Sequence, residues 1–272
     1  MDRDEKSPAE YEIYAIRYAT NSKRTRGQNF IKDADPTALL TMDFFSWVLI
    51  RDGKAIVVDT GMAQDKATRN GHEWLASPID ILRKLGVDPA SVETVIMTHL
   101  HYDHTGNTDA FPNANFLLQA EEMNYISGPY MEKAWFRHAY AVDELQKFLG
   151  YLHGGRLKLH GRDHVVTDGV SVHWVGGHTA GQEIVRVRTK RGWVVLASDA
   201  LHYEEELTAG IPFTVTFSIP DMILAHDRIS ELADSEEHIV VAHDPKVMEL
   251  YAAPTPELKG LAVRLHAPPQ AR

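Results

Sequence analysis

The segment Thr94-Val95-Ile96-Met97 reads as a short buried strand, and it runs without a break into Thr98-His99-Leu100-His101-Tyr102-Asp103-His104. Three histidines and one aspartate within six residues are hard to accommodate except around a cation. Alternate residues after a strand point the same way, so His99 and His101 are expected to share one metal. Asp103 and His104, on the turn that follows, would reach a second metal close by. One segment cannot supply all the ligands that two metals need. The chain must therefore fold so that other strand ends reach the same edge.

Three candidates stand downstream, each after a predicted strand. His178 sits in Gly176-Gly177-His178-Thr179-Ala180-Gly181, a small-residue loop that lets backbone come close to a metal. Asp199 follows the apolar run Val194-Val195-Leu196-Ala197-Ser198, and His243 follows Ile239-Val240-Val241-Ala242. Imidazole with carboxylate suits zinc, and also iron or manganese. Cysteine is absent from the 272 residues, which removes disulfides, thiolate ligands and a cysteine nucleophile together. That composition suits a reducing cytosol.

Elsewhere the pattern is mixed α/β. Strands are expected at 12–18, 44–50, 55–59, 116–119, 165–166, 170–175, 184–187, 193–197 and 238–242. Asp52-Gly53 between two apolar runs predicts a hairpin. Helical spacing predicts helices at 78–85, ended by Gly86, from Ala120 onward, and at 226–233. Residues 128–155 mix aromatics with helix formers and are expected to form a helical excursion. Phe44, Phe45 and Trp47 either wall the pocket or fill a hairpin core. The order implies two sheets between helices, with the chemistry on loops at one edge. The charged first ten residues are expected to be a flexible lead. No apolar run is long enough to span a membrane. A net charge of −10 with no basic stripe excludes nucleic acid as a partner. The short run Lys23-Arg24-Thr25-Arg26 is expected to be a solvated loop.

The chain resembles the metallo-β-lactamase superfamily. Val57-Val58-Asp59-Thr60-Gly61, THLHYDHTGN from residue 98, GGHTAGQ from 176, ASDA from 197 and AHD from 242 occur in that family's order. The resemblance implies a four-layer αββα sandwich over a single domain spanning 1–272, with a helical insertion around 120–155. It implies that His99, His101 and His178 hold one metal, and that Asp103, His104 and His243 hold the other. Asp199 would bridge the pair, and Asp59 would orient a ligand histidine. The resemblance is greatest to the N-acyl homoserine lactonase group and related lactonases, including the one that opens pyridoxolactone. Ser77-Pro78-Ile79-Asp80-Ile81-Leu82, Leu85-Gly86-Val87 and Asp59-Thr60-Gly61-Met62 look like that group.

The implied activity is opening of a lactone ring by a metal-bridging hydroxide, with Asp103 as proton shuttle. Other carboxylic esters, thioesters and cyclic amides are the alternative substrates. The implied setting is cytoplasmic, with homodimer formation. One departure stands out: the group has a tyrosine three residues after the bridging aspartate, where this chain has His202, with Tyr203 one further on. His202 and Tyr203 are therefore the expected donors to the oxyanion.

Overall fold

The computed structural model describes residues 7–270. Its most local feature is the expected hairpin. Asp52 and Gly53 have φ of +51° and +73°, the two left-handed residues that a type I′ turn requires. They join β2 (Met42–Arg51) to β3 (Lys54–Val58), with Arg51 opposite Lys54. β1 (Glu12–Asn21) lies antiparallel to the other side of β2 and carries β13 (Ala262–Arg264) and β4 (Glu73–Trp74) along its length. Beyond β3 the pairing turns parallel, through β5 (Thr94–Met97), β6 (Asn115–Gln119) and β7 (Leu157–His160). The first sheet thus runs β13-β1-β2-β3-β5-β6-β7, with β4 off its edge. The second sheet is made from β8 (Asp163–Thr167), β9 (Val170–Trp174), β10 (Glu183–Thr189), β11 (Gly192–Leu196) and β12 (Ile239–Val240), in the order β12-β11-β10-β9-β8.

Alternation along the strands sets the layers. On β2, Phe45, Trp47 and Leu49 face the second sheet, and Val48 faces the opposite way. Val58 and Ile96 join the inter-sheet core, whereas Val57, Val95 and Met97 pack under Ile79 and Leu82 of the helix Pro78–Lys84 and Phe148 of the helix Val142–His153. The helix Ile219–Leu232 covers the outer face of the second sheet through Ala225, Ile229 and Leu232. The αββα order expected from the sequence is the order observed.

Several elements differ in extent. The last helix before β12 begins at Ile219 rather than 226, where Ser218 accepts a hydrogen bond from Asp221 N–H as an N-cap. The strand expected over 238–242 keeps only Ile239 and Val240 in the ladder, because Ala242 and His243 N–H groups donate instead to Leu201 and His202 carbonyls. Of the expected flexible lead, residues 1–6 lie outside the described residues. Ala9 is buried, and its N–H donates to Asp168 Oδ2 at 3.2 Å. Among the described residues no helix is long and apolar enough to cross a membrane.

Candidate metal centre

Five strand ends meet at one edge. β3 ends on Asp59 and β5 on the histidine segment from 99 to 104; β9, β11 and β12 lead to His178, Asp199 and His243. Loops at such ends have no ladder to complete, so their backbone is free to turn ligands inward. The loop carrying His178 comes so close to the helix Ile219–Leu232 that a Cβ on Gly177 would lie 2.6 Å from Met222 N. Gly177 also has φ +86°, so glycine is required there on both counts.

The ligand atoms of His99, His101 and His178 all lie within 4.8 Å of one another, as do those of Asp103, His104, Asp199 and His243. These side chains are buried. Hydrogen bonds on their far sides set which nitrogen faces the cluster. His104 Nδ1–H donates to Asp59 Oδ2 at 2.8 Å, His178 Nδ1–H to Val215 O at 2.8 Å, and His243 Nδ1–H to Asp43 O at 2.7 Å. Each Nε2 is thereby left with its lone pair pointing inward. For His99 the argument runs through Thr98. Its hydroxyl lies 2.8 Å from Asp59 Oδ2, 2.7 Å from Ser198 Oγ and 3.2 Å from His99 Nδ1. A carboxylate can only accept, so Thr98 gives Asp59 its one proton and accepts from the other two. His99 Nδ1 then carries the hydrogen, and Nε2 is bare.

These residues fit a pair of metals. His99 Nε2 and His104 Nε2 are buried with no hydrogen-bond partner among the described residues, which is costly unless a cation takes the lone pair. His101 Nδ1 and His178 Nε2 face each other at 2.9 Å, so a proton or a metal must stand between them. Burial lowers the pKa of His101 to about 3 and pushes His99 and His178 well below the usual imidazole range, so all three rings are neutral near pH 7. Around His104 burial acts the same way, but Asp199, Asp103 and Asp59 outweigh it and raise the ring well above its ordinary value. That half of the centre calls for positive charge.

A cavity of about 240 Å³ opens over the centre, lined on this side by His101, Asp103, His178 and Asp199. Phe44 lies on its wall with its ring edge-on to His243, 5.2 Å between centroids, while Phe45 and Trp47 belong to the inter-sheet core. The wall also holds Arg24, His72 and His138, which the sequence did not mark out. His72 is tied by Nε2 to Tyr102 OH at 2.8 Å and by Nδ1 to Asn21 Nδ2 at 3.2 Å. An isolated histidine between polar neighbours carries no local signal of this.

The two residues expected as oxyanion donors, Tyr203 and His202, are both buried. Tyr203 is buried, and its hydroxyl donates to Thr41 O at 3.2 Å and accepts from Asn29 Nδ2 at 3.0 Å. It is therefore committed to the loop before β2. His202 is fully buried, stacked on Phe213 with 3.7 Å between centroids. Its Nε2 lies 3.3 Å from Asp199 Oδ2 and its Nδ1 3.5 Å from Glu206 Oε1. Burial opposes a charge on it, but Glu206 and Asp199 outweigh burial and raise its pKa to about 9. His202 thus sits against Asp199, and its ligand atom lies within 4.8 Å of those of Asp199 and His178.

A two-sheet sandwich that gathers histidines and carboxylates from five strand ends defines an αββα metal-binding protein. The chain belongs to the metallo-beta-lactamase superfamily, which it matches over residues 45–243. An N-acyl homoserine lactonase of Bacillus thuringiensis is 27% identical over 226 residues, covering 77% of this chain and 84% of the relative. The N-acyl homoserine lactonase AttM of Rhizobium radiobacter is 28% identical over 235 residues, covering 76% and 86%. An N-acyl homoserine lactone hydrolase solved with N-hexanoyl-L-homoserine at its catalytic metal center superposes with a TM-score of 0.71 at 22% identity, covering 90% of this chain and 96% of that one. This last likeness is one of fold.

Proposed function

We propose that the chain is a two-metal hydrolase that opens lactone rings, built on one domain spanning its length. The observation that carries this reading is the division of Asp199 between two histidine clusters. Its Oδ1 lies 3.2 Å from His104 Nε2 and 3.3 Å from His243 Nε2, and its Oδ2 lies 3.3 Å from His178 Nε2. A carboxylate so divided suits a ligand shared by two cations. His99, His101 and His178 would hold one metal, and Asp103, His104 and His243 the other. Imidazole and carboxylate without thiolate fit zinc. The relatives named as N-acyl homoserine lactonases support a lactone as substrate.

When bound, such a metal pair polarises a carbonyl and lowers the pKa of water to about 7. The remaining work falls to the chain. His101, Asp103, His178 and Asp199 form one wall of the cavity, so a carbonyl seated there meets both clusters. Water adds across the acyl–oxygen bond, giving a hydroxy acid, and one proton must pass from the attacking water to the leaving oxygen. Asp103 is placed to hold that proton, since it borders the cavity and its Oδ2 lies 3.5 Å from His104 Nε2. Met42, Phe44, Phe213 and Val215 supply the apolar part of the cavity wall.

Metal analysis combined with a pH-indicator assay over lactones, thioesters and simple esters tests the reading. The expected result is about two zinc ions per chain, lactone turnover, and loss of both in Asp199→Ala. Full lactone turnover by metal-stripped protein, or thioester turnover alone, would overturn it.

A further inference from the structure

Arg24 stands on the cavity wall and is the only arginine or lysine there among the described residues. Two residues on, Arg26 behaves as a surface arginine should, pairing with Asp33 at 2.7 Å and with Glu205. Arg24 has no carboxylate within ion-pair distance among the described residues. Its Nε donates to Asn29 Oδ1 at 2.6 Å and its Nη2 to Gln28 O at 2.7 Å, both neutral acceptors. These bonds fix the plane of the guanidinium without neutralising it, and Nη1 has no acceptor among the described residues. The group lies 5.8 Å from the Phe213 ring centroid, on the apolar side of the cavity.

A guanidinium in this position is under strain. Burial lowers its pKa, with Tyr203, Tyr102 and Asp103 as the groups that favour its charge. Asp103 belongs to the second cluster and would be taken up by a metal there, so it cannot serve as the partner. An oriented, partly desolvated arginine with Nη1 free and no counter-ion is what a charge-assisted anion contact requires.

We propose that Arg24 anchors an anionic group of the substrate, and that the substrate is a small lactone or ester carrying a carboxylate. This rests on the two-metal hydrolase reading above. The carboxylate would lie against Nη1 while the acyl carbon faces His101, Asp103, His178 and Asp199. Size agrees with a small substrate. The cavity holds about 240 Å³, below the ~300 Å³ at which sites for drug-sized ligands begin. Across His101, His138, His178 and Val215, a neighbouring pocket lined by Tyr125, Phe136 and Phe217 adds only about 10 Å³.

The test compares a γ-butyrolactone bearing a ring carboxylate with its neutral carboxamide, on the wild type, Arg24→Met and Arg24→Lys. Metal content is measured for each protein. The wild type is expected to prefer the carboxylate in kcat/KM, and Arg24→Met to erase that preference by about ten to one hundredfold. Arg24→Lys, which keeps the charge but lacks the fork, should restore part of it. An equal loss on both lactones, or an undiminished preference in Arg24→Met, overturns the proposal. Should neither lactone be hydrolysed, the two-metal lactonase reading falls, and calorimetric titration of the same pair still decides on Arg24. Tighter binding of the carboxylate that vanishes in Arg24→Met upholds the anchor, and equal binding rejects it.

Discussion

Asp59 shows how much one residue settles at this centre. It has φ +57°, a left-handed conformation that turns the chain at the end of β3. It also accepts from Thr98 N–H, Thr98 Oγ1–H and His104 Nδ1–H, each at 2.8 Å. All three are donors, and only a carboxylate accepts from all of them at once. In Asp59→Asn the amide NH2 must face one of these donors. On the proposed two-metal reading, a metal at the Asp103, His104 and His243 cluster should then bind about 10–100-fold more weakly, while one at His99, His101 and His178 is unaffected. Chelator competition resolves the two affinities, and wild-type values for both would reject this role. The residues that gather in the two clusters were legible because strand-then-histidine is a local pattern. Arg24 was not, because Lys23-Arg24-Thr25-Arg26 carries no mark of which cation turns inward.

The helix Ala120–Ser127, expected from the sequence, contributes more than cover for the first sheet. Its buried Glu122 accepts from Leu100 N–H at 3.1 Å, from Gly181 N–H at 3.1 Å and from Tyr140 O–H at 3.0 Å. One carboxylate thereby ties the histidine segment to the loop of His178 and to the helical insertion. There is no slack in this arrangement, since a Cβ on Gly181 would lie 2.2 Å from Glu122 N. Glu122→Gln turns one acceptor into a donor facing a donor, and it should cost about 1–3 kcal/mol of stability. Metal affinity should fall with it, because two ligand loops lose a common tether. Urea unfolding together with metal titration checks both, and a loss of stability with unchanged metal affinity would limit Glu122 to packing. The short strands β7 and β13 escaped the sequence reading. β7 presents Lys158 and Leu159 to solvent and gives no apolar alternation, and β13 is too short to show any. Their register comes from neighbours distant in sequence.

Across the whole molecule, the two sheets are joined by a buried ion pair as well as by their shared core. His160 at the end of β7 meets Glu183 at the start of β10, with 3.3 Å between Nε2 and Oε2. Burial raises Glu183 from 4.5 to about 7, with His160 opposing. Burial also works against His160, but Glu183 outweighs it and raises that ring too. Both groups therefore bind protons more tightly in the folded chain than in the unfolded one. Their stabilisation is complete at low pH and is lost as pH climbs through the folded values. The melting temperature of the wild type relative to Glu183→Gln should accordingly fall from about pH 5 to about pH 8. A constant difference over that range would reject the assignment. The αββα layering was legible at this scale because alternation and a parallel βαβ order are both written locally. The cavity was not, since its wall is drawn from segments far apart, such as Arg24, His72, His138 and Phe213. The metal-facing residues stand on strand ends from both sheets, whereas these wall residues stand on the connections between elements. On the proposed reading, the reacting groups and part of the selecting wall are thus housed in separate parts of the chain. New connections could be grafted onto the same scaffold with its ligands untouched, and a change of substrate would then be a change of loop.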